Sequence, residues 1–83
     1  MATNDDEILR EITALTNEEH EMLQLGERNH GLDETQQTRL NQVKVEIDRL
    51  WDLLRQRRGR RHAGLNPDSA QERDAATVEN YKQ

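Results

Sequence analysis

The residues with the clearest chemical potential form a basic run that ends at His62. Five arginines fall within seven residues there: Arg55, Arg57, Arg58, Arg60 and Arg61. Clustered guanidinium groups bind phosphates and other anions, so this run is a candidate patch for an anionic partner, and nucleic-acid binding is the alternative function.

Two features of the sequence argue against nucleic acid as the partner of these arginines. Residues 1–54 carry a net charge of −8, from five basic and 13 acidic residues, and no aromatic residue interrupts the basic run. A negative surrounding field and the lack of a stacking platform weaken binding to phosphate backbones. We therefore predict that the arginines mainly balance acidic residues within the fold.

Metal binding is a second chemistry to consider, because residues 18–21 read Glu-Glu-His-Glu. A helix presents ligands together at spacings of three or four residues. Those positions around His20 hold Thr16, Asn17, Leu23 and Gln24, and none of them is a strong metal ligand. The sequence predicts neither a metal site nor a cofactor, and His20 is expected to be a solvated side chain.

Catalysis has little support in the pattern of residues. The chain has no cysteine, and its one serine, Ser69, follows the turn-forming residues 64–68. No glycine-rich phosphate loop follows a strand, because no strand is predicted. We expect a non-enzymatic protein without catalytic residues.

The elements that position these residues are two helices. Asn4 and Glu7 have the spacing of a capping box, and Ile8, Ile12, Leu15 and Met22 then recur in steps of three and four, which predicts a helix over about residues 5–25. Asp33 and Gln36 predict a second start, followed by a helix over about residues 34–61. Its apolar seam consists of Leu40, Val43, Ile47, Leu50 and Leu54.

The two seams coincide when the chain folds back at residues 29–31, which brings Ile8 near Leu54 and Ile12 near Leu50. The predicted fold is an all-α antiparallel two-helix hairpin, coiled-coil-like, spanning residues 1–62. Glu19 also lies on the first seam. It is either an exposed interruption or a register-setting residue balanced by Arg39 or Lys44.

Residues 63–83 have a different character. Gly64, Asn66 and Pro67 are turn formers, and the remaining segment is polar apart from Val78 and Tyr81. We predict an extended or disordered tail. Val78 and Tyr81 are three residues apart, so one helical turn would let both dock on the hairpin or on another protein.

Composition limits the chain of 83 residues to one small domain. Its Leu, Ile, Val and Phe residues number 16, and 14 of these lie between positions 8 and 54. The acidic N-terminal residues do not resemble a secretory signal, and no apolar run is long enough for a membrane span. A cytoplasmic protein is expected.

One block of the sequence is recognisable. Residues 51–58, Trp-Asp-Leu-Leu-Arg-Gln-Arg-Arg, together with Glu18-Glu19-His20, Asn66-Pro67-Asp68 and a closing Val78-Glu79-x-Tyr81, resemble a family of short bacterial proteins catalogued as a domain of unknown function (family 2630). The resemblance implies a bacterial, cytoplasmic helical hairpin. It carries no activity, ligand or catalytic residue.

A lone hairpin leaves one side of each helix in water, which favours association. Leu9, Leu23 and Trp51 flank the seams on one side and Leu53 on the other, so these four are the predicted self-association residues. Two hairpins would then form a four-helix bundle. The expected function is that of a homodimeric interaction or structural protein, with an unidentified protein partner left open.

Overall fold

A computed structural model describes residues 4–72 and 78–79 of the chain. It contains two long helices, α1 (Asp5–Arg28) and α2 (Glu34–His62), and a short 3₁₀ helix, Pro67–Ser69. The helices pack against each other as an antiparallel pair, so the predicted all-α hairpin is confirmed.

Both helices begin at the caps that the sequence predicts. The Asn4 carboxamide oxygen accepts a hydrogen bond from the backbone N–H of Glu7 at 2.9 Å. At α2, Asp33 and Gln36 form a reciprocal capping box, with distances of 2.7 Å and 3.0 Å. These contacts satisfy N–H groups that the first helical turn leaves without intrahelical acceptors.

The first helix continues beyond its predicted end near residue 25 and stops at Arg28. Gly26, the first residue after that predicted end, lies inside the helix. A Cβ atom at this position would stand 3.3 Å from Cγ of Leu32, so the glycine allows the turn to pack closely on α1. The helix ends where His30 adopts a left-handed conformation (φ 59°) and the Gly31 N–H bonds to the Gly26 carbonyl at 2.7 Å.

The second helix ends in the same kind of motif. Gly64 has φ 75°, its N–H bonds to the Arg61 carbonyl, and the Leu65 N–H bonds to the Arg60 carbonyl at 2.7 Å. This double hydrogen bond is the Schellman motif, which reverses the chain at a left-handed residue. The reversal directs the segment after residue 64 back along α2.

The core lies where the seams meet near the termini of the hairpin. Its central cluster consists of Ile8, Ile12, Leu50, Leu53 and Leu54, with Leu15 and Ala70 packed against it. The predicted neighbours Ile8 and Leu54, and Ile12 and Leu50, therefore share one cluster. Leu40 and Val43 extend the buried seam toward the turn.

Part of the predicted extended or disordered tail has a defined place in the fold. Pro67–Ser69 form the 3₁₀ helix, Ala70 reaches the core, and Gln71 accepts a hydrogen bond through its carbonyl from Gln56 at 2.7 Å. Further on, Val78 and Glu79 are helical, and Val78 is 1% exposed. Apolar contact and hydrogen bonding thus hold this segment against the hairpin.

Candidate interaction surface

The two helices define two faces of the hairpin. Residues that precede the seams by one position lie on one face, here named the covered face: Glu11, Glu18, Arg39, Glu46 and Leu53. The contact between Glu18 and Arg39 shows that these positions on α1 and α2 share a face. Residues that follow the seams by one position must then share the opposite, uncovered face, which includes Leu9, Leu23 and Trp51.

The covered face is occupied by the chain itself. Leu53, a predicted self-association residue, is 7% exposed and belongs to the core cluster, against which Ala70 packs. Leu53 is therefore removed from the predicted self-association residues, because its apolar surface is already buried within one chain and adds little to an interface. The sequence did not reveal this, because it predicted no ordered contact from residue 70.

The uncovered face retains exposed apolar side chains. Leu9, Leu23 and Trp51 are 39%, 46% and 40% exposed. Leu9 and Trp51 lie only about two residues, or about 3 Å, apart along the hairpin axis, because Ile8 and Ile12 share a cluster with Leu54 and Leu50. These three exposed apolar side chains are the groups on this face that a partner would bury.

The arginine run divides between the interior and the surface. Arg57 continues the α2 seam and is 6% exposed. Its Nε donates to Oδ1 of Asp5 at 2.6 Å, and its Nη1 donates to Oδ1 of Asp68 at 3.0 Å and to the Pro67 carbonyl at 3.3 Å. Arg57 is therefore withdrawn from the candidate anion patch, because its donors face acceptors of the same chain.

Two other arginines of the run also have partners in the fold. Arg61 binds Oδ2 of Asp5 through both terminal nitrogens. Arg55 lies 3.9 Å from Asp52 but is largely exposed, and Arg58 is exposed as well, whereas Arg60 is half-buried. The cationic groups that remain at the surface are fewer than the sequence suggests, as expected if much of the run balances acidic residues.

The ion pairs at the hairpin's termini shift the titration of their carboxyl groups. The hydrogen bond from Arg57, with the positive charges of Arg61, Arg57 and Arg58, holds the pKa of Asp5 below its ordinary value despite partial desolvation. Likewise, the bidentate bond from Arg39, at 2.6 Å and 2.8 Å, lowers the pKa of Glu18. Arg39 binds Glu18, so Arg39 is not the residue that balances Glu19 in the register-setting interpretation.

A pair of carboxyl groups on the covered face was missed by sequence reasoning. Burial, a hydrogen bond with Glu72 and repulsion from Glu72 and Glu11 raise the pKa of Glu46 to about 7, against the opposing charge of Arg49. Arg49 lies 3.5 Å from Glu46 and 3.4 Å from Glu72. The two carboxylates are 26 residues apart in sequence, so no local spacing signals their contact.

The other predicted residues have simpler positions. His20 is exposed, and the part of the chain that the structure describes contains no group of three or more side chains placed to hold a metal ion. Val78 is buried, whereas Tyr81 lies outside the described residues. In the same described ranges, neither helix is long and apolar enough to cross a membrane.

Comparison with known proteins gives a family but no activity. Residues 4–83 match the family described as "Protein of unknown function (DUF2630)". The chain belongs to this family. Uncharacterized proteins of Mycobacterium tuberculosis and Mycobacterium bovis are 41% identical to it over 78 residues, which cover 93% of this chain and 88% of each relative. No solved structure matches the chain. The resemblance noted in the sequence is thereby confirmed, with bacterial homologues.

Proposed function

We propose that this member of the family is a non-enzymatic, cytoplasmic interaction protein that acts as a homodimer. Two hairpins pack their uncovered faces together into a four-helix bundle. The observation that carries the proposal is the exposure of Leu9, Leu23 and Trp51 on one face, while the segment after residue 64 packs on the covered face.

The energetics favour association through this face. A tryptophan side chain offers up to about 250 Å² of surface. With 40% of Trp51 exposed, about 100 Å² per chain is available for burial, worth about 2.5 kcal/mol at 25 cal/mol per Å². Two copies contribute about 5 kcal/mol before the two leucines are added. This gain works against the entropy lost on association.

The shifted carboxyl groups support a structural role for the charged residues. Asp5 and Glu18 each bind an arginine across the hairpin, and Glu46 contacts the segment after residue 64. Asp5 and Glu18 owe their lowered pKa values mainly to these contacts, and Glu46 owes its raised pKa first to burial and then to Glu72. Such networks perturb titration without catalysis.

Size-exclusion chromatography with light scattering tests the proposal. We expect the mass of two chains at micromolar concentration, with Trp51→Ala raising the dimer Kd by about 100-fold or more, since losing about 3–5 kcal/mol corresponds to that range. The matched control is Ala14→Ser, an exposed change on α1 away from the uncovered face. A mass of one chain at every concentration refutes the dimer.

The same preparation tests the nucleic-acid alternative by fluorescence anisotropy with duplex and single-stranded oligonucleotides at low and physiological salt. We expect no appreciable affinity at physiological salt, because few exposed arginines face a negative surrounding field. Submicromolar binding that is lost in a double variant, Arg55→Gln with Arg58→Gln, would make nucleic-acid binding the main function in place of self-association.

A further inference from the structure

The pattern on α1 suggests how a second copy of the chain would bind. Leu9, Thr16 and Leu23 are exposed and follow one another at intervals of seven residues, which places them along one stripe of the helix. The stripe is symmetric about Thr16: a leucine lies two turns before it and another two turns after it. A surface with this symmetry fits itself when one copy is rotated by 180° about an axis through Thr16.

We propose that the uncovered face binds a second copy with α1 antiparallel to α1 of the partner and the twofold axis beside Thr16. This inference rests on the proposed homodimer and specifies its geometry. Leu9 of each chain then contacts Leu23 of the other, so that all four leucines are covered. A twofold axis parallel to the helices would instead stack α1 on α2 of the partner, leaving Leu23 near the polar residues Gln37 and Asn41.

The charges on α2 are complementary in the same arrangement. Arg55, Arg58 and His62 share one stripe of α2 near its end, whereas Glu27 and Glu34 are exposed at the turn. The antiparallel arrangement places the basic end of each α2 near Glu34 at the turn of the partner, which is electrostatically complementary.

The register of the hairpin defines one of these charge contacts. Asp5 pairs with Arg57, and Ile8 and Leu54 share a cluster, so Thr16 lies about level with residue 46 of α2. Arg58 is about 12 residues beyond this level and Glu34 about 12 residues before it, spans of about 18 Å along the helix. The axis beside Thr16 therefore brings Arg58 of one chain toward Glu34 of the other.

Cysteine cross-linking tests this geometry in the full chain, which contains no native cysteine. Under mild oxidation, Thr16→Cys should form a covalent dimer in high yield, because two cysteines beside a twofold axis can meet the Cα spacing that a disulfide needs. A mixture of Leu9→Cys and Leu23→Cys should cross-link more than either variant alone. Ala14→Cys, exposed on another side of α1, is the control and should not cross-link.

The outcomes separate the arrangement from the dimer itself. A monomeric mass by light scattering refutes the proposed function and this inference together. A dimeric mass without cross-linking of Thr16→Cys refutes the arrangement alone. The arrangement is also refuted if Leu9→Cys and Leu23→Cys, each tested alone, cross-link as much as or more than their mixture.

Charge reversal gives a second test that needs no cysteine. Arg58→Glu should raise the dimer Kd about tenfold at low salt, and adding Glu34→Arg to the same chain should restore it. Arg60→Glu, on the other side of α2, is the control for charge alone and should change the Kd less than Arg58→Glu. Failure of Glu34→Arg to restore affinity in a dimeric protein would contradict the proposed contact.

Discussion

Replacing Glu46 by Gln should stabilise the protein above neutral pH and remove much of its pH dependence. In the fold, the Glu46 carboxyl group has a pKa of about 7, against an ordinary value of 4.5. The folded state therefore binds a proton that the unfolded state releases near pH 4.5. Its contribution to the free energy of unfolding is greatest below pH 4.5 and is lost as the pH rises from about 4.5 to about 7.

The size of this effect follows from the pKa difference and the exposure of the group. A change from 4.5 to about 7 corresponds to about 3.4 kcal/mol. The Glu46 side chain is 32% exposed, so solvent screening reduces the expected value to about 1–2 kcal/mol. For a chain of 83 residues this is a change in Tm of about 5–10 °C.

Thermal unfolding followed by circular dichroism, at one protein concentration from pH 5 to pH 8.5, measures the effect. The Tm of the unmodified protein should fall across this range, while Glu46→Gln should stay nearly level and exceed it by about 5–10 °C at pH 8. Glu72→Gln should reduce the slope only in part, because it removes the hydrogen bond and the repulsion from Glu72 but leaves Glu46 buried, and burial is the largest cause of its raised pKa.

Glu21→Gln is the matched control, since Glu21 is exposed on α1 outside the carboxyl pair. It should leave the slope unchanged. An unmodified protein whose Tm is constant or rises from pH 5 to pH 8 would refute the argument, as would a Glu46→Gln variant that keeps the original slope. On the acidic side, stability should decrease as the pH is lowered below about 4.5. Ion pairs lower the pKa values of Asp5 and Glu18 in the fold, so protonation of these two groups favours the unfolded state.

Three further substitutions, together with Arg58→Gln as a control, test the structure by chemical denaturation. Arg57→Gln should lower the free energy of unfolding by about 1–3 kcal/mol, because it leaves Asp5 without its buried donor. Arg58→Gln should change the free energy of unfolding by less than about 0.5 kcal/mol, and equal losses in the two variants would contradict the buried position of Arg57. Gly59→Ala should stabilise α2 by about 0.5–1 kcal/mol, since an added Cβ meets no atom within 4 Å, and a loss would disprove that clearance. His30→Gly should stabilise the turn by up to about 1 kcal/mol, because His30 has φ 59°, and a destabilised variant would show that the imidazole makes a contact of its own.

The hairpin was predictable because its signals are local or periodic. The caps at Asn4 and Asp33 lie within four residues of their partners, and the apolar seams repeat every three or four residues. Facing seams then determine the pairing of the helices. These features depend on side-chain type and spacing alone, which a sequence displays directly.

The contacts of the segment after residue 64 were not predictable in the same way. Ala70 is a small residue in a polar stretch, yet it reaches the core, and Gln71 offers only its backbone carbonyl to Gln56. Such contacts depend on the direction in which the Schellman motif sends the chain. For the same reason the burial of Leu53 could not be distinguished from the exposure of Trp51, since both flank the seam equally.

The position of Arg57 has a consequence for how the protein unfolds. Its guanidinium group joins residue 5 at the start of α1, α2 near its end, and residues 67 and 68 beyond the reversal. Fraying of the first turn of α1 and detachment of the 3₁₀ helix both break bonds to this one group. The ends of the hairpin should therefore open as a single cooperative unit, so that amide hydrogens near Ile8 and those near Ser69 exchange with similar free energies of opening.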